Sequence, residues 1–557
     1  MSILNADITH ILINDLLPTN GGPPSELLSF ASTSRSFRDS CLPYLFSEVR
    51  WPHKSKADKE SGLHFFPEGL WPYIRHFRLE WFDEWTEPTR LKWGVLDKDG
   101  HYVPRDLVKF ASAIESMPKL SKVTLSCPFV VPRSFFQSLG LSQSLNAITF
   151  IDTPLTGIGS ISPVKLKHIS LAPVGQTLRI GDGPTEPRFS DIPYFMRDWR
   201  RKYLSQAHWR QVVETQASAQ FIRTHAPHLT RLELSGNLCS LSALSGIDWP
   251  LLETFVLTGR VPVTQSYESP AHVQLFNALA RMESLQDLRL LFAQSRSQEF
   301  HVLGRDDPPD PAHTAKLATL TNFAISNACK LDGVFNHMSS LERLAILAIE
   351  DLPRWPIALA QAEVDRVLAD VAASGCGLTH LRIIVEDKLT PEVCCSITAN
   401  CHHLQTLEIE RCGYHDGKSV SSWVRVSLRP DTFSLLILRL IFWHVWSLQQ
   451  EFLAALSPLS ALQDLRICMQ FPEYDDVDEL ESWRTVRKEC AKALAKGLKR
   501  LGKVGFEYRK RAGTHRYQDA WLDFQISRRN GGVVELCQLP AMWYRFPEVW
   551  ESSRSPF

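Results

Sequence analysis

No stretch of this 557-residue sequence is apolar for long enough to cross a bilayer. A transmembrane helix takes about 20 apolar residues; the longest apolar run, Phe433 to Trp446, is shorter and carries Arg439 and His444. Net charge is lacking too. Lys plus Arg and Asp plus Glu each number 61, so no global field draws the chain to nucleic acid or to an anionic membrane. Met1 to Leu17 has no basic start and is interrupted by Asp7, His10, Asn14 and Asp15, so no secretory signal is expected. The 12 cysteines form no spaced framework and read as reduced thiols of an intracellular protein, in the cytoplasm, the nucleus or both.

Catalytic signatures are missing as well. There is no His-Glu-x-x-His, no Gly-x-Ser-x-Gly and no pair of carboxylates assignable to one cleft. Gly417-Lys418-Ser419 has Cys412 where a phosphate loop requires its first glycine, so nucleotide binding is not expected. Cys394, Cys395, Cys401, His402, His403 and Cys412 crowd together, but Cys394 and Cys395 fall on an expected helix and not on the turn that zinc prefers. Arg509-Lys510-Arg511 reads as a solvated face. The sequence therefore points to a binding protein and not to an enzyme, with no catalytic residue, cofactor or metal ligand.

What is present is a repeat. The pattern apolar-x-x-apolar-x-apolar starts at Ile74, Leu120, Leu145, Leu166, Leu229, Leu252, Leu285, Leu320, Leu341, Leu378, Leu404, Leu435, Leu462 and Leu501. Asn237 follows Leu234 by three, and Cys412 follows Ile409 by three, as in the longer leucine-rich-repeat signature. Each copy predicts a short strand buried on one face. Helices are expected between strands: Ser269-Pro270 and Thr390-Pro391 open two, and Val364, Val367, Leu368 and Val371 line a third that stops at Gly375. Neither element buries its apolar face alone, so stacking has to do it. The expectation is an α/β leucine-rich-repeat solenoid, or horseshoe, over residues 51–516, with an insertion at about 172–228 and a C-terminal hairpin cap over 517–557.

Residues 1–50 lack the strand repeat and form a small all-helical domain. Ile8, Ile11, Leu12 and Leu16 make one apolar stripe, Gly21-Gly22-Pro23-Pro24 breaks it, and Ser25 opens a helix carrying Leu27, Leu28 and Phe30. Phe37, Cys41, Leu42 and Leu45 continue on a third helix. Glu26 to Phe30, Ser34-Arg35-Ser36-Phe37-Arg38 and Cys41-Leu42-Pro43-Tyr44-Leu45-Phe46 together resemble a divergent F-box of the large fungal type, with Leu17-Pro18 ahead of a Gly/Pro insertion. The resemblance implies an F-box protein with leucine-rich repeats: the substrate-recognition subunit of a Skp–cullin–F-box-type ubiquitin ligase. A Skp-type adaptor, and through it a cullin, would dock on Ile8, Ile11, Leu12, Leu16, Leu17, Pro18, Leu27 and Leu28. A plain protein-binding scaffold is the alternative. No stable homo-oligomer is expected.

The target would be a protein held on the concave face, where the side chains between the apolar positions point. Arg289, His380, Arg382, Glu408, Arg439 and Arg466 fall there, the last four of them nearly in register. Arginine forks suit a carboxylate or a phosphate, so an acidic or phosphorylated segment is one expected ligand; the alternative is that these are ordinary solvated side chains, with Glu408 neutralising its neighbours.

Overall fold

The computed structural model describes residues 12–13, 25–52, 67–80, 94–96, 102–127, 131–151, 153–161, 164–172, 215–236, 238, 240–260, 269–293, 300–303, 310–326, 329–331, 333–347, 359–386, 389–412, 450–469, 477–511, 517–529, 534–539 and 542–543. The chain forms two compact units: Met1–Thr177 with Pro187–Leu285 and Glu548–Phe557, and Leu178–Glu186 with Gln286–Pro547. Both are α/β, with mostly parallel strands alternating with helices in a leucine-rich-repeat-like solenoid arrangement. Among the described residues no helix is long and apolar enough to cross a membrane.

Unit 1 opens with helices α1 (Ser25–Ser32) and α2 (Arg35–Leu45). Ser34 caps α2, its hydroxyl accepting the Phe37 N–H at 3.1 Å. The chain then enters β1 (Glu48–Pro52) and β2 (His76–Glu80). A short antiparallel pair, β3 (Gly94–Leu96) and β4 (Tyr102–Pro104), precedes α3 (Arg105–Ala113). The ladder continues through β5 (Lys122–Ser126), α4 (Arg133–Leu141), β6 (Ala147–Ile151), β7 (His168–Ala172), β8 (Arg231–Ser235), α5 (Leu241–Ser245), β9 (Thr254–Arg260) and α6 (Ala271–Leu279). The strands pair in parallel in the order β1, β2, β5, β6, β7, β8, β9.

Unit 2 starts with β10 (Asp287–Ala293) and the small bridge strand β11 (Phe300–His301). It proceeds through α7 (Pro311–Ala318), β12 (Asn322–Ser326), β13 (Cys329–Lys330), β14 (Arg343–Leu347), α8 (Gln361–Ala373), β15 (His380–Glu386), α9 (Pro391–Asn400) and β16 (Thr406–Cys412). It ends with β17 (Asp464–Ile467), α10 (Val477–Gly497), β18 (Lys503–Arg511), β19 (Tyr517–Arg528), β20 (Val534–Gln538) and β21 (Met542–Trp543). Strands β10, β12, β14, β15, β16, β17 and β18 run parallel. Then β19 turns back antiparallel on β18 and pairs antiparallel with β20 and β21.

The strand starts follow the sequence pattern closely. In every described copy the strand begins at the third pattern position, from His76, Lys122 and Ala147 to Asp464 and Lys503. The leading apolar residues are buried in the turn before it, as at Ile74, Leu120, Leu229 and Leu404. A backbone device fixes the register. The carbonyl of the second pattern residue accepts two N–H groups from the next repeat: Arg75 O takes Ser121 and Lys122, and Thr379 O takes Gln405 and Thr406. Hydroxyls reinforce it where the next residue allows, Ser121 Oγ donating to Arg75 O at 3.1 Å and Thr379 Oγ1 to Glu342 O at 3.1 Å.

Large aromatics fill the layer between sheet and helices in unit 1. Phe77 of β2 stacks on Phe110 of α3 at 4.2 Å, and the contacts run on through Phe135, Phe136 and Phe150 at 5.7 to 5.9 Å. All five rings are fully buried. After β6, Thr153 is wholly buried; its one hydroxyl proton is shared between Leu125 O and Ile151 O, and Oγ1 accepts the Cys127 N–H. It stands three residues beyond Phe150, the place that Asn237 and Cys412 hold in their own copies; Asn237 and the Cys412 side chain lie outside the described residues.

The expected helices are present, with one shift. Residue Pro391 opens α9 after Thr390, and Val364, Val367, Leu368 and Val371 are the buried face of α8, beyond which Gly375 takes φ +70°. Helix α6 begins at Ala271, so Pro270 and not Ser269 holds the cap position, and Ser269 instead accepts Gln274 Nε2 through its carbonyl. Proline has no N–H and suits the edge of a helix in either place.

Candidate functional site

Two surfaces hold the residues singled out from the sequence, and a third is the corresponding face of unit 1. The first is the N-terminal cluster. Ile13, Leu27, Ala31 and Cys41 form a small closed core, with Phe30, Tyr44 and Leu45 packed against it. Phe30 and Phe37 stack at 4.5 Å. Leu27 and Leu28 therefore part company: Leu27 is 0% exposed, whereas Leu28 is 51% and Leu12 37% exposed. Ile8, Ile11, Leu16, Leu17 and Pro18 lie outside the described residues. Trp51 belongs to the first repeat: it is buried, and its indole N–H donates to Asp106 of α3 at 3.2 Å.

The second surface is the far face of the unit 2 sheet, opposite the helices. Strand pairing sets Arg289, Ala324, Ala345, Arg382, Glu408, Arg466, Gly505 and Asp523 in one row. Strand β16 pairs directly with β17, so the row expected to pass Glu408, Arg439 and Arg466 runs straight from Glu408 to Arg466; Arg439 itself is outside the described residues. Each described arginine of this row is already engaged. Arg289 forks onto Asp287, with Nη2 at 2.7 Å from Oδ2 and Nε at 3.0 Å from Oδ1. Arg382 holds Glu410 at 2.6 Å and Glu408 at 3.6 Å. Arg466 reaches Glu408 at 2.9 Å on one side and Asp523 at 2.9 Å on the other, and Lys503 adds a 3.0 Å contact to Asp523.

These contacts make a ladder in which cations and carboxylates alternate: Glu410, Arg382, Glu408, Arg466, Asp523, Lys503. It is largely withdrawn from water, Asp523 completely so. Burial pushes the Glu410 carboxyl up, against the pull of Arg382. Gly505 makes the crossing possible. A Cβ there would run into Asp523 Oδ1 and stand 2.9 Å from Arg466 Cγ. Gly505→Ala is expected to lower stability by about 1–3 kcal/mol through this overpacking. A denaturation midpoint equal to wild type would show that the strands yield without loss. His380 lies on the same face, bonded to Thr379 Oγ1 at 2.8 Å, and its pKa is pushed down by burial and then by Arg343.

The third surface is the far face of unit 1. One row there holds Glu48, His76, Lys122, Ala147, His168, Arg231 and Thr254. His76 Nε2 lies 3.0 Å from Thr124 Oγ1, and its Nδ1 is 3.4 Å from Glu48, an ion contact without hydrogen-bond geometry. The His76 contact holds the Glu48 carboxyl below its usual value. Among the described residues, one nitrogen of His168 and one of Arg231 find no acceptor: Nε2 and Nε, respectively, are buried without a hydrogen-bond partner. Burial, then Arg231 and Lys122, push the His168 pKa down to about 3.

Sequence reading identified the arginines of unit 2 and one of their partners, Glu408, but not Asp287, Glu410 or Asp523. Asp287 was findable, two residues before Arg289 on the same strand face. Asp523 was not, because it meets Arg466 only through an antiparallel register that no local pattern encodes. The cysteine group resolves into ordinary packing positions: Cys394 and Cys401 are buried, Cys395 is exposed, and burial pushes the Cys401 thiol up to about 12. Among the described residues no cluster of His, Cys, Asp or Glu is disposed to hold a metal ion. In comparison with known proteins, the sequence matches no family model and no curated relative.

Proposed function

We propose that this chain is the substrate-recognition subunit of a Skp–cullin–F-box-type ubiquitin ligase, taking the adaptor on its N-terminal helices and a target protein on its repeats. The observation that carries the reading is the split of the N-terminal apolar residues. A cluster that closes over Leu27 and Ile13 while leaving Leu28 and Leu12 in water has apolar surface to spare for a partner. The F-box-like run from Glu26 to Phe46 supplies the two helices that build it. Ubiquitin transfer would belong to other subunits, and this chain would act by holding its target near them.

A second reading is a repeat scaffold whose N-terminal helices only cap the first repeat. It is favoured by the packing of α2 against the 3-10 turn Glu68–Tyr73 and by the direct passage from α2 into β1. Titration of a purified Skp-type adaptor against full-length variants separates the two. Leu28→Glu is expected to weaken capture at least tenfold, about 1.4 kcal/mol, with an unchanged denaturation midpoint. Full capture by that variant would favour the scaffold.

A further inference from the structure

We propose that the far face of unit 1 carries a binding site for a compact oxyanion of the phosphate type, formed by Lys122, His168 and Arg231. The three residues occupy the same pattern position on β5, β7 and β8. Ala147 stands between Lys122 and His168 on β6, and its single methyl leaves the span clear. At about 4.8 Å per strand, Lys122 and Arg231 are anchored roughly 14 Å apart, a gap that two long side chains can close over one small anion.

The charge on this row is not balanced from within. Among the described residues neither Lys122 nor Arg231 is in an ion pair, although the field of Lys122 reaches both Glu48 and His168. Buried donors without acceptors are unfavourable, and two of them, Arg231 Nε and His168 Nε2 in the tautomer that protonates it, lie on neighbouring strands here. In unit 2 Arg289 has Asp287 and Arg466 has Asp523, whereas Arg343, beside His380, is in no ion pair among the described residues but has no buried unpartnered nitrogen. In unit 1 the corresponding acceptor is not supplied by the described residues, and an oxyanion oxygen is the group that fits two cations and a ring nitrogen.

Glu233 sets the limit on size. It follows Arg231 by two on the same face and stands opposite the buried hydroxyl of Ser170. A run of phosphates along the sheet would meet that carboxylate, so a single doubly charged group is favoured over a polyanion such as nucleic acid. The phosphoryl group has two sources: free phosphate, or a phosphorylated side chain of a bound protein.

The test uses the full chain and no adaptor, so its outcome is independent of the ligase reading. Inorganic phosphate, a phosphoserine peptide and the same peptide with Glu in place of phosphoserine are titrated by calorimetry. Saturable binding of phosphate is expected, at least tenfold weaker in Arg231→Ala and in Lys122→Met. Arg231→Lys, which keeps the charge and loses the fork, should fall between, and it guards against a fold defect in the alanine variant. Tighter binding of the phosphopeptide than of phosphate, with the Glu peptide weaker, identifies a protein-borne phosphoryl group; equal binding of phosphate and phosphopeptide identifies the free ion. No saturable phosphate binding by the folded wild-type chain, or binding that survives both Arg231→Ala and Lys122→Met, overturns the proposal.

Discussion

Replacing Asp523 by Ala is expected to destabilise the C-terminal strands by about 3–5 kcal/mol, the usual consequence of removing one member of a buried ion pair. The side chain is 0% exposed and takes both Arg466 and Lys503. Without it Arg466 keeps Glu408 and the Trp521 ring but loses its fully buried carboxylate, Lys503 loses its contact with Asp523, and both cations stay largely withdrawn from water. The loss should be localised. Hydrogen exchange at β17, β18 and β19 should speed up by two orders of magnitude or more, while that of unit 1 stays put. Added salt should change little, since buried charges are poorly screened. Asp523→Asn, which keeps a hydrogen-bond acceptor, should fall between. A change below about 1 kcal/mol would mean that the buried ladder contributes no more than an exposed ion pair does.

Phe110→Ala should cost about 3–5 kcal/mol in unit 1 for a different reason. Phe110 lies between Phe77 and Phe135, and all three are fully buried, so truncation opens a cavity bounded by rigid rings on two sides. Helix α3 is the element that should loosen, because Phe110 and Leu107 are among the few side chains tying it to the sheet. Phe110→Leu, which fills part of the space, should recover about half of the loss. Unfolding followed by urea, with exchange at α3 and β2 as the local readout, checks both. An effect under about 1.5 kcal/mol would require the neighbouring rings to have collapsed into the gap.

The strand ladder was legible because its signal is dense and local. Three apolar residues at fixed spacing state where a strand begins, and His76, Arg231, Arg343 and Asp464 all start their strands where the pattern places them. The helices were legible where proline or a cap residue marks an edge, as at Thr390-Pro391. Facing charges were not. Which side chain lies beside Arg382 depends on strand order, and the order is set by backbone carbonyls such as Thr379 O, which every residue type possesses. The arginine stripe and Glu408 within it were therefore visible, while the neutralisation by Glu410 and Asp523 was hidden. An incoming acidic segment at Arg382 or Arg466 has to compete with those internal carboxylates. The N-terminal cluster was half legible: helical spacing placed Leu27 and Leu28 on one helix but could not say which of them faces inward.

The most direct test of the functional account is the solution mass of the full chain mixed with a purified Skp-type adaptor, measured by light scattering after gel filtration, beside a chain lacking residues 1–50. The account predicts a one-to-one complex with the full chain and none with the shortened one. The shortened chain, which also loses Glu48 to Arg50 of β1, should keep the unfolding transitions of unit 2 and of the rest of unit 1, which shows that it remains folded. A full chain that elutes alone, with α1 and α2 intact by hydrogen exchange, would contradict the ligase reading and leave the repeat scaffold in its place.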